Sequence, residues 1–305
     1  MWYLLVVGIA LFSFVYFAIP RIGKRLKEKG IKGKDIHKPN KPEIPEMGGL
    51  IFIPFLILLS LIFWYLYSEI TFLFIGISIT LFFIYGIIDD LLVLGKWKKL
   101  FFSILVACVV SWLYFLINLK FSIPLFMALV FISVIIGNAI NVLAGFNGLE
   151  AGSSIIVLSA ASVYLFIKGS ELHAFFTVLC IAVIFAFFLH NKYPAKIFPG
   201  DCGTMGIGGL LVGLSIFAGI YNIILPLLSL HFADALLKAI TAGYFSSSEK
   251  PKSKISEDGI LIPGEGYLSV PKVFMKTFML DEKKLVKYLL FSEAIIAVFV
   301  LMVMI

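Results

Sequence analysis

The sequence has few charged residues, few cysteines and none of the short motifs that are common in soluble nucleotide-binding or metal enzymes. Only 14% of its 305 residues are charged and 61% are hydrophobic, whereas soluble globular proteins carry about 25% charged residues. Three cysteines exclude a disulfide scaffold, and 12 prolines without a Gly-X-Y period exclude a collagen-like chain. A GxxxxGK[ST] loop, an HExxH motif and a CxxC pair are all missing. This composition excludes a soluble globular protein and leaves a membrane protein.

Long apolar runs predict about ten transmembrane helices, since a membrane-spanning helix needs about 20 apolar residues. The runs lie at 2–20, 48–67, 70–88, 100–118, 123–143, 153–168, 174–190, 204–221, 223–243 and 286–305. The first run lacks a basic start and a small-residue cleavage site, so we interpret it as an uncleaved span. We therefore predict an all-α, polytopic membrane protein that forms a single transmembrane domain over residues 1–305.

The lysines and arginines are distributed unevenly between the two sets of loops. Most of them lie in the loops 21–47, 89–99, 191–203 and 244–285. Only Lys120 and Lys168 lie in the opposite loops, and Lys238 lies inside a span. Because cytoplasmic loops carry an excess of Lys and Arg, we predict that the basic side is cytoplasmic and that both termini lie outside. The net charge of +7 follows largely from this topology and does not indicate a nucleic-acid partner.

Two adjacent acids, Asp89 and Asp90, follow the third apolar run. Ionisable groups at membrane depth are costly and neighbouring carboxylates repel each other, so this pair requires a cation, a proton or a lysine. A metal–phosphate or proton-transfer role fits this requirement. The alternative is a solvated helix end, paired with Lys96, Lys98 or Lys99.

A polar stretch at the end of the fifth run contains Asn138 and Asn141, which lie on one face of a helix at i and i+3. Three glycines follow at positions 145, 148 and 152 and permit a tight turn close to a ligand. Amide and carboxylate oxygens are ligands that suit Mg²⁺. The alternative is a pair of helix-packing asparagines followed by an ordinary turn.

Two further features precede or follow the late spans. Asp201 stands between glycines just before the eighth run, where it could coordinate a metal bound to phosphate or cap a helix. After the ninth run, lysines alternate around Ser253, which suits pyrophosphate binding but is also common beside membranes. Inside the ninth run, Asp234 and Lys238 are spaced at i and i+4, which predicts an internal ion pair.

Together these segments resemble the polyprenyl-phosphate N-acetylhexosamine-1-phosphate transferases, and within them the UDP-GlcNAc–dolichyl-phosphate GlcNAc-1-phosphate transferases of eukaryotes and archaea. The long match is Asn-Ala-Ile-Asn at 138–141, followed by Leu-Ala-Gly-Phe-Asn-Gly-Leu-Glu-Ala-Gly at 143–152. The segments 33–46, 89–100, 191–201 and 252–254 carry the rest of the resemblance. Ten spans also match the topology of this family.

The resemblance implies that Asn141 and Asp201 hold Mg²⁺, for which Mn²⁺ is a substitute. It also implies that Asp89, Asp90 and Lys99 are catalytic residues beside the lipid phosphate. The implied lipid-phosphate-binding residues are Lys99, Asn138 and Asn141. The implied UDP-GlcNAc-binding residues are Lys34, Asp35, Ile36, Glu46, Asn147, Glu150, Asn191, Lys252, Ser253 and Lys254.

The chain departs from the eukaryotic members in its basic loop. It has Lys252-Ser253-Lys254-Ile255 where they carry Arg-His-Arg before Ile-Pro, so point charges replace the planar forks of arginine. The cell-wall branch of the family typically shows an Asp-containing motif at the position of 141–150, which argues against a peptidoglycan substrate here.

The implied reaction transfers GlcNAc-1-phosphate from UDP-GlcNAc to polyprenyl or dolichyl phosphate, as the first membrane step of lipid-linked oligosaccharide synthesis for protein N-glycosylation. One alternative is the same chemistry with another UDP-HexNAc for a cell-envelope polysaccharide. Another is a membrane transporter, which the clustering of polar residues at one membrane face disfavours. The expected partners are the two substrates and membrane lipids, with a homodimer as an open alternative and no nucleic acid. The expected location is the cell membrane, with a cytoplasmic active-site face formed by the loops 21–47, 89–99, 144–152, 191–203 and 244–285.

Overall fold

A computed structural model describes residues 2–242 and 253–305 and shows an all-α membrane protein. The helices are α1 (Trp2–Glu28), α2 (Gly49–Tyr67), α3 (Ile70–Leu92), α4 (Lys96–Asn118), α5 (Ile123–Val142), α6 (Leu149–Ile167), α7 (Glu171–Asn191), α8 (Gly200–Phe217), α9 (Tyr221–Leu227), α10 (Ser229–Ala242), α11 (Val270–Phe278) and α12 (Glu282–Met304). The strands are β1 (Lys32–Lys34), β2 (Glu43–Pro45), β3 (Lys254–Ile255) and β4 (Leu261–Ile262). They form two short antiparallel hairpins, β1–β2 and β3–β4, within the described ranges.

The helices confirm the prediction of about ten membrane spans. Within residues 2–242 and 253–305, nine helices are long and apolar enough to cross a membrane. The pair α9 and α10, which is bent by 57° at Leu228, brings the number to ten when it is counted as one span. Pro226 lies just before this bend and has no N–H group to continue the helical hydrogen bonds. The eighth span begins at Gly200 and ends at Phe217, a few residues earlier than the predicted bounds.

Helix α8 is the centre of the bundle and is buried along nearly its whole length. A Cβ atom on Gly208 would lie 2.0 Å from the carbonyl oxygen of Gly137 in α5, so only glycine fits there. A Cβ atom on Gly209 would lie 2.8 Å from the carbonyl oxygen of Ser78 in α3. Small residues allow membrane helices to approach closely. These contacts therefore fix α8 between α3 and α5.

The same close packing joins the end of α3 to the beginning of α8. A Cβ atom on Gly86 would lie 2.5 Å from the carbonyl oxygen of Asp201. Next to this contact, the segment before α2 pairs with the segment before α8, since the Phe198 N–H donates to Pro45 O at 2.9 Å and the Gly48 N–H donates to Phe198 O at 2.8 Å. The polar ends of α3 and α8 consequently meet at one end of the bundle.

Candidate active site

Three charged side chains meet where α3, α4 and α8 converge. The Lys99 ammonium lies 2.6 Å from Asp89 Oδ2 and 3.2 Å from Asp201 Oδ2. Asp89 is 2% exposed, whereas the side chains of Asp201 and Lys99 are 27% and 39% exposed. Two carboxylates from different helices thus face one cation at a place that solvent or a ligand can reach. Asp89 is therefore not part of a solvated helix end, which was the alternative interpretation. Its pairing with Lys99 does agree with the lysine partners named in that alternative.

Asp90 has a different role from its neighbour. Its Oδ1 accepts a hydrogen bond from the Asp201 N–H and its Oδ2 accepts one from the Cys202 N–H, both at 2.8 Å. Those N–H groups belong to the first turn of α8, which has no partner for them within its own helix. Asp90 therefore caps α8 from another helix. The alternative role of Asp201 as a helix cap is wrong, because Pro199 is the N-cap residue and the Asp201 carboxylate faces Lys99.

A cavity of about 720 Å³ opens beside this cluster. Its polar wall contains Lys99, Asn138, Asn141 and Asp201, and its apolar wall contains Val134, Ile135, Met205 and Phe232. Asn138 is fixed, because its Nδ2 donates to Ser103 Oγ at 2.6 Å and to Val134 O at 2.7 Å. A cavity of this size with a few polar groups is typical of small-molecule sites. The structure thus brings together the residues expected to bind lipid phosphate and metal.

The donor atoms around the cavity fit a hard divalent cation. Asp89 and Asp201 offer carboxylate oxygens, and Asn141 offers an amide that makes no hydrogen bond within the described part of the chain. Mg²⁺ prefers such oxygen ligands and keeps several waters or phosphate oxygens. Both carboxylates already converge on the Lys99 ammonium, so their arrangement favours positive charge between them.

A second wall of the cavity was not predicted as part of the site. The predicted ion pair is confirmed, with the Lys238 ammonium 2.6 Å from Asp234 Oδ2, and Asp234 Oδ1 accepts from the Val270 N–H at 2.7 Å. Tyr267 lines the cavity, and the Lys272 ammonium lies 3.3 Å from the centroid of its ring. Burial lowers the pKa of Lys272 and raises the pKa of Tyr267. The sequence does not reveal these contacts, because the partners are far apart in the chain and no local motif marks residues 264–272.

Two of the residues expected to bind the nucleotide sugar, Asp35 and Asn147, lie together in a separate cluster. Asn147 Nδ2 donates to Asp35 Oδ2 at 2.9 Å, and both residues are 4% exposed. Lys38 and Glu282 complete this cluster, and neither was selected from the sequence. Lys38 could have been selected from the sequence, because it follows Asp35 by three residues. Glu282 could not, because at the start of α12 it resembles any acidic residue of a first helical turn.

Several other expected residues have internal partners or lie elsewhere. Glu150 Oε1 accepts from the Gly145 N–H at 2.7 Å, and Asn191 Nδ2 donates to Ile197 O at 2.9 Å, so both hold loops. Ile36 and Glu46 are half-buried beside the β1–β2 hairpin, and Lys34 is exposed on it.

The basic loop is described only in part, because Lys252 lies outside the described residues. Ser253 Oγ donates to Met275 Sδ at 3.5 Å. Lys254 is exposed and pairs with Ile262 in the β3–β4 hairpin. Neither Ser253 nor Lys254 is among the described residues that line the cavity.

Comparison with known proteins shows to which family the chain is related. The profile of Glycosyl transferase family 4 matches residues 72–219, which include the Asp89–Lys99–Asp201 cluster. A Methanocaldococcus jannaschii protein named as a glycosyltransferase is 31% identical over 288 residues, covering 91% of this chain and 89% of the relative. A Saccharolobus solfataricus protein named as a UDP-N-acetylglucosamine–dolichyl-phosphate N-acetylglucosaminephosphotransferase is 31% identical over 303 residues, covering 94% and 92%.

A bacterial relative has a different named activity. The phospho-N-acetylmuramoyl-pentapeptide-transferase of Streptococcus thermophilus is 30% identical over 242 residues, covering 70% of this chain and 71% of the relative. The similarity to these proteins extends over most of the transmembrane bundle. The chain therefore belongs to glycosyl transferase family 4 and is a membrane-embedded phosphosugar transferase.

Proposed function

We propose that this protein transfers GlcNAc-1-phosphate from UDP-GlcNAc to a polyprenyl phosphate such as dolichyl phosphate, with release of UMP. The observation that carries the proposal is the Asp89–Lys99–Asp201 cluster, which lies at a 720 Å³ cavity with an apolar wall. The name of the Saccharolobus solfataricus relative supports this donor and this acceptor. The product would begin lipid-linked oligosaccharide synthesis for protein N-glycosylation.

The reaction needs little proton transfer from the protein. An oxygen of the lipid phosphate forms a bond to the β-phosphorus of UDP-GlcNAc, and the bond from this phosphorus to the bridging oxygen breaks. The electron pair of that bond leaves with UMP. Because a polyprenyl phosphate is already a dianion near neutral pH, we favour this direct displacement over a route through a covalent aspartyl-phosphate intermediate, in which the phosphosugar is bound as an acyl phosphate. Catalysis then consists mainly of positioning and of charge neutralisation.

Each residue of the cluster has a distinct part in this proposal. Lys99 neutralises negative charge on the phosphates, and Asp89 orients the lipid phosphate through the same ammonium group. Asp201 and Asn141 would hold Mg²⁺, which when bound neutralises charge on phosphate oxygens as a Lewis acid. Asp90 contributes indirectly, because it fixes the first turn of α8 and hence the position of Asp201.

We also propose that the site faces the cytoplasm and that both termini lie outside. The charge cluster lies at the end of the bundle that carries the loop 89–99 with its three lysines. The excess of Lys and Arg in this set of loops supports a cytoplasmic location. A nucleotide sugar would reach the cavity from that side.

The basic loop remains a prediction for pyrophosphate binding. Lys254→Ala is expected to raise the KM for UDP-GlcNAc about tenfold, as expected for the loss of one charge contact. Lys254→Arg should retain binding, because the guanidinium can engage two phosphate oxygens. Lys250→Ala is the matched control, and an equal effect of both alanine variants would identify these lysines as topology signals only.

One assay tests the proposed reaction directly. Purified protein is incubated with radiolabelled UDP-GlcNAc, a polyprenyl phosphate and Mg²⁺, and the label is measured in the organic phase. We expect Mg²⁺-dependent label in the lipid, with Mn²⁺ as a substitute, and little label with the Asp201→Asn variant. UDP-GalNAc and a UDP-linked N-acetylmuramoyl-pentapeptide are the competing donors. Lack of transfer from UDP-GlcNAc to lipid would overturn the proposal.

A further inference from the structure

Three buried polar residues and the mostly buried Lys38 form a closed ring of hydrogen bonds and ion pairs that shares no residue with the Asp89 cluster. Glu282 Oε1 accepts from the Asn147 N–H at 2.8 Å, and Asn147 Nδ2 donates to Asp35 Oδ2 at 2.9 Å. The Lys38 ammonium lies 3.3 Å from the same Asp35 oxygen and donates a hydrogen bond to Glu282 Oε2, which closes the ring. Glu282 is 3% exposed, so the ring is nearly shielded from water.

Glu282 belongs to this ring and not to the cap of its own helix. The neighbouring Asp281 caps α12, since its Oδ1 accepts from the Lys284 N–H at 2.7 Å, and its side chain is 41% exposed. The Glu282 carboxylate instead bonds to residues that are more than 130 positions away in the sequence. A buried carboxylate is costly unless it is paired and hydrogen-bonded. This arrangement therefore indicates that Glu282 holds the loop before α6 in one place.

The ring determines how Asn147 is presented. Its backbone N–H is bound by Glu282 and its side-chain amide nitrogen by Asp35, which leaves the amide oxygen of the side chain for other contacts. The preceding Phe146 stacks on His37, with ring centroids 4.7 Å apart. The following Gly148 has a φ of 87° and lies so close to Lys192 that a Cβ atom would be 2.9 Å from its Cα. Contacts of the residues before and after Asn147 thus fix the position of the loop.

The ring is a charge network and does not need a metal. Asp35, His37 and Glu282 offer ligand atoms that lie within 4.8 Å of one another. The Lys38 ammonium, however, already contacts both carboxylates, and it also lies 3.8 Å from the centroid of the Tyr193 ring. The positive charge between the two acids is consequently supplied by the chain itself.

We propose that Glu282 is a positioning residue for the nucleotide-sugar donor, which it affects through Lys38, Asp35 and the orientation of Asn147. This inference rests on the proposed function and on the UDP-GlcNAc-binding role of Asn147 that the family resemblance implies. The ring shares no residue with the Asp89–Lys99–Asn138 region that would bind the lipid phosphate. Loss of Glu282 should therefore weaken donor binding and leave acceptor binding nearly unchanged.

Kinetics with both substrates tests this inference. Glu282→Gln keeps the volume and one acceptor but removes the charge opposite Lys38. We expect the KM for UDP-GlcNAc to rise about tenfold, as for the loss of one charged hydrogen bond, while the KM for polyprenyl phosphate changes less than about twofold. Asp281→Asn, the adjacent acid at the start of the same helix, is the matched control and should retain both KM values.

A double-mutant cycle shows whether Glu282 acts through Asn147. The increase in donor KM caused by Glu282→Gln should largely disappear in an Asn147→Ala background, because the side chain through which Glu282 affects the donor is then absent. Isothermal titration of UDP into the purified variants gives the same comparison without turnover.

The outcomes separate the two proposals. If the unmodified protein neither binds UDP nor transfers sugar from UDP-GlcNAc, the proposed function fails. If it does both, and Glu282→Gln either keeps the donor KM or raises both KM values equally, the positioning role of Glu282 is refuted. Additive effects of Glu282→Gln and Asn147→Ala would refute it as well.

Discussion

The adjacent acids Asp89 and Asp90 offer a sharp test of the site, because the structure gives them opposite kinds of contact. Asp90 accepts two backbone hydrogen bonds at the start of α8, whereas Asp89 faces the Lys99 ammonium at the cavity. We expect Asp90→Ala to act mainly on stability and Asp89→Asn mainly on catalysis. The two variants are matched in position, since they differ by one residue on the same helix.

The stability effect of Asp90→Ala can be worked out from the contacts. The change leaves the N–H groups of Asp201 and Cys202 without their acceptor, and Cys202 is buried. Loss of a helix cap costs about 1–2 kcal/mol, and an unsatisfied buried N–H group costs about 1–3 kcal/mol. We therefore expect the free energy of unfolding to fall by about 2–4 kcal/mol. Activity should also fall, because the first turn of α8 carries Asp201.

The Asp89→Asn variant should keep its fold. In the unmodified protein, the Leu94 N–H donates to Asp89 Oδ1 at 3.2 Å, and the side-chain oxygen of the asparagine can still accept this hydrogen bond. Lys99 keeps Asp201 as a partner and is partly exposed, so the variant leaves no buried charge without a partner and the loss of stability should be small. In contrast, kcat should fall roughly a hundredfold, because Asp89 no longer holds the Lys99 ammonium in place and a small misplacement of a catalytic group costs about this much.

Thermal unfolding in detergent and transfer of radiolabelled GlcNAc-1-phosphate measure the two effects in parallel. A clearly lowered Tm is expected for Asp90→Ala, and a Tm close to that of the unmodified protein is expected for Asp89→Asn. Asp90→Asn, which keeps one acceptor oxygen, should lie between them. The assignment is wrong if Asp90→Ala retains its Tm, or if Asp89→Asn unfolds as readily as Asp90→Ala.

Three further predictions concern the metal, the topology and the packing of the bundle. Asp201→Asn should lose most activity but keep its Tm, since an amide is a weaker Mg²⁺ ligand; normal turnover at saturating Mg²⁺ would contradict the role. In a Cys-free background, Lys98→Cys should react with a membrane-impermeant thiol reagent only from the cytoplasm and Ser170→Cys only from outside, and the reverse pattern would refute the topology. Gly208→Ala should lower stability by about 1–3 kcal/mol or more through overpacking, whereas Gly95→Ala, where a Cβ atom meets open space, should not; equal Tm values would contradict the close packing of α8.

The spans and the main polar residues of the cavity could be predicted from the sequence. The thickness of a membrane fixes the length of a spanning helix, so apolar runs alone indicate the ten spans. Asn138, Asn141 and Asp201 stand out because polar groups at membrane depth need a reason. The bend at Leu228 was not predicted, because the run 223–243 is apolar over most of its length and was therefore interpreted as one helix.

The partners of the polar residues were decided by the tertiary structure. Asp89 and Asp90 are identical in type and adjacent, and only the packing of α8 against α3 directs one to Lys99 and the other to a helix end 111 residues away. The ring around Asn147 likewise depends on Glu282, which in the sequence is one acid of an ordinary helix start. Hydrophobic periodicity and local motifs reveal which residues leave the membrane, but they carry no information on which helix ends meet. That is set by close contacts such as Gly208 against Gly137, where the missing side chain lets two helices touch.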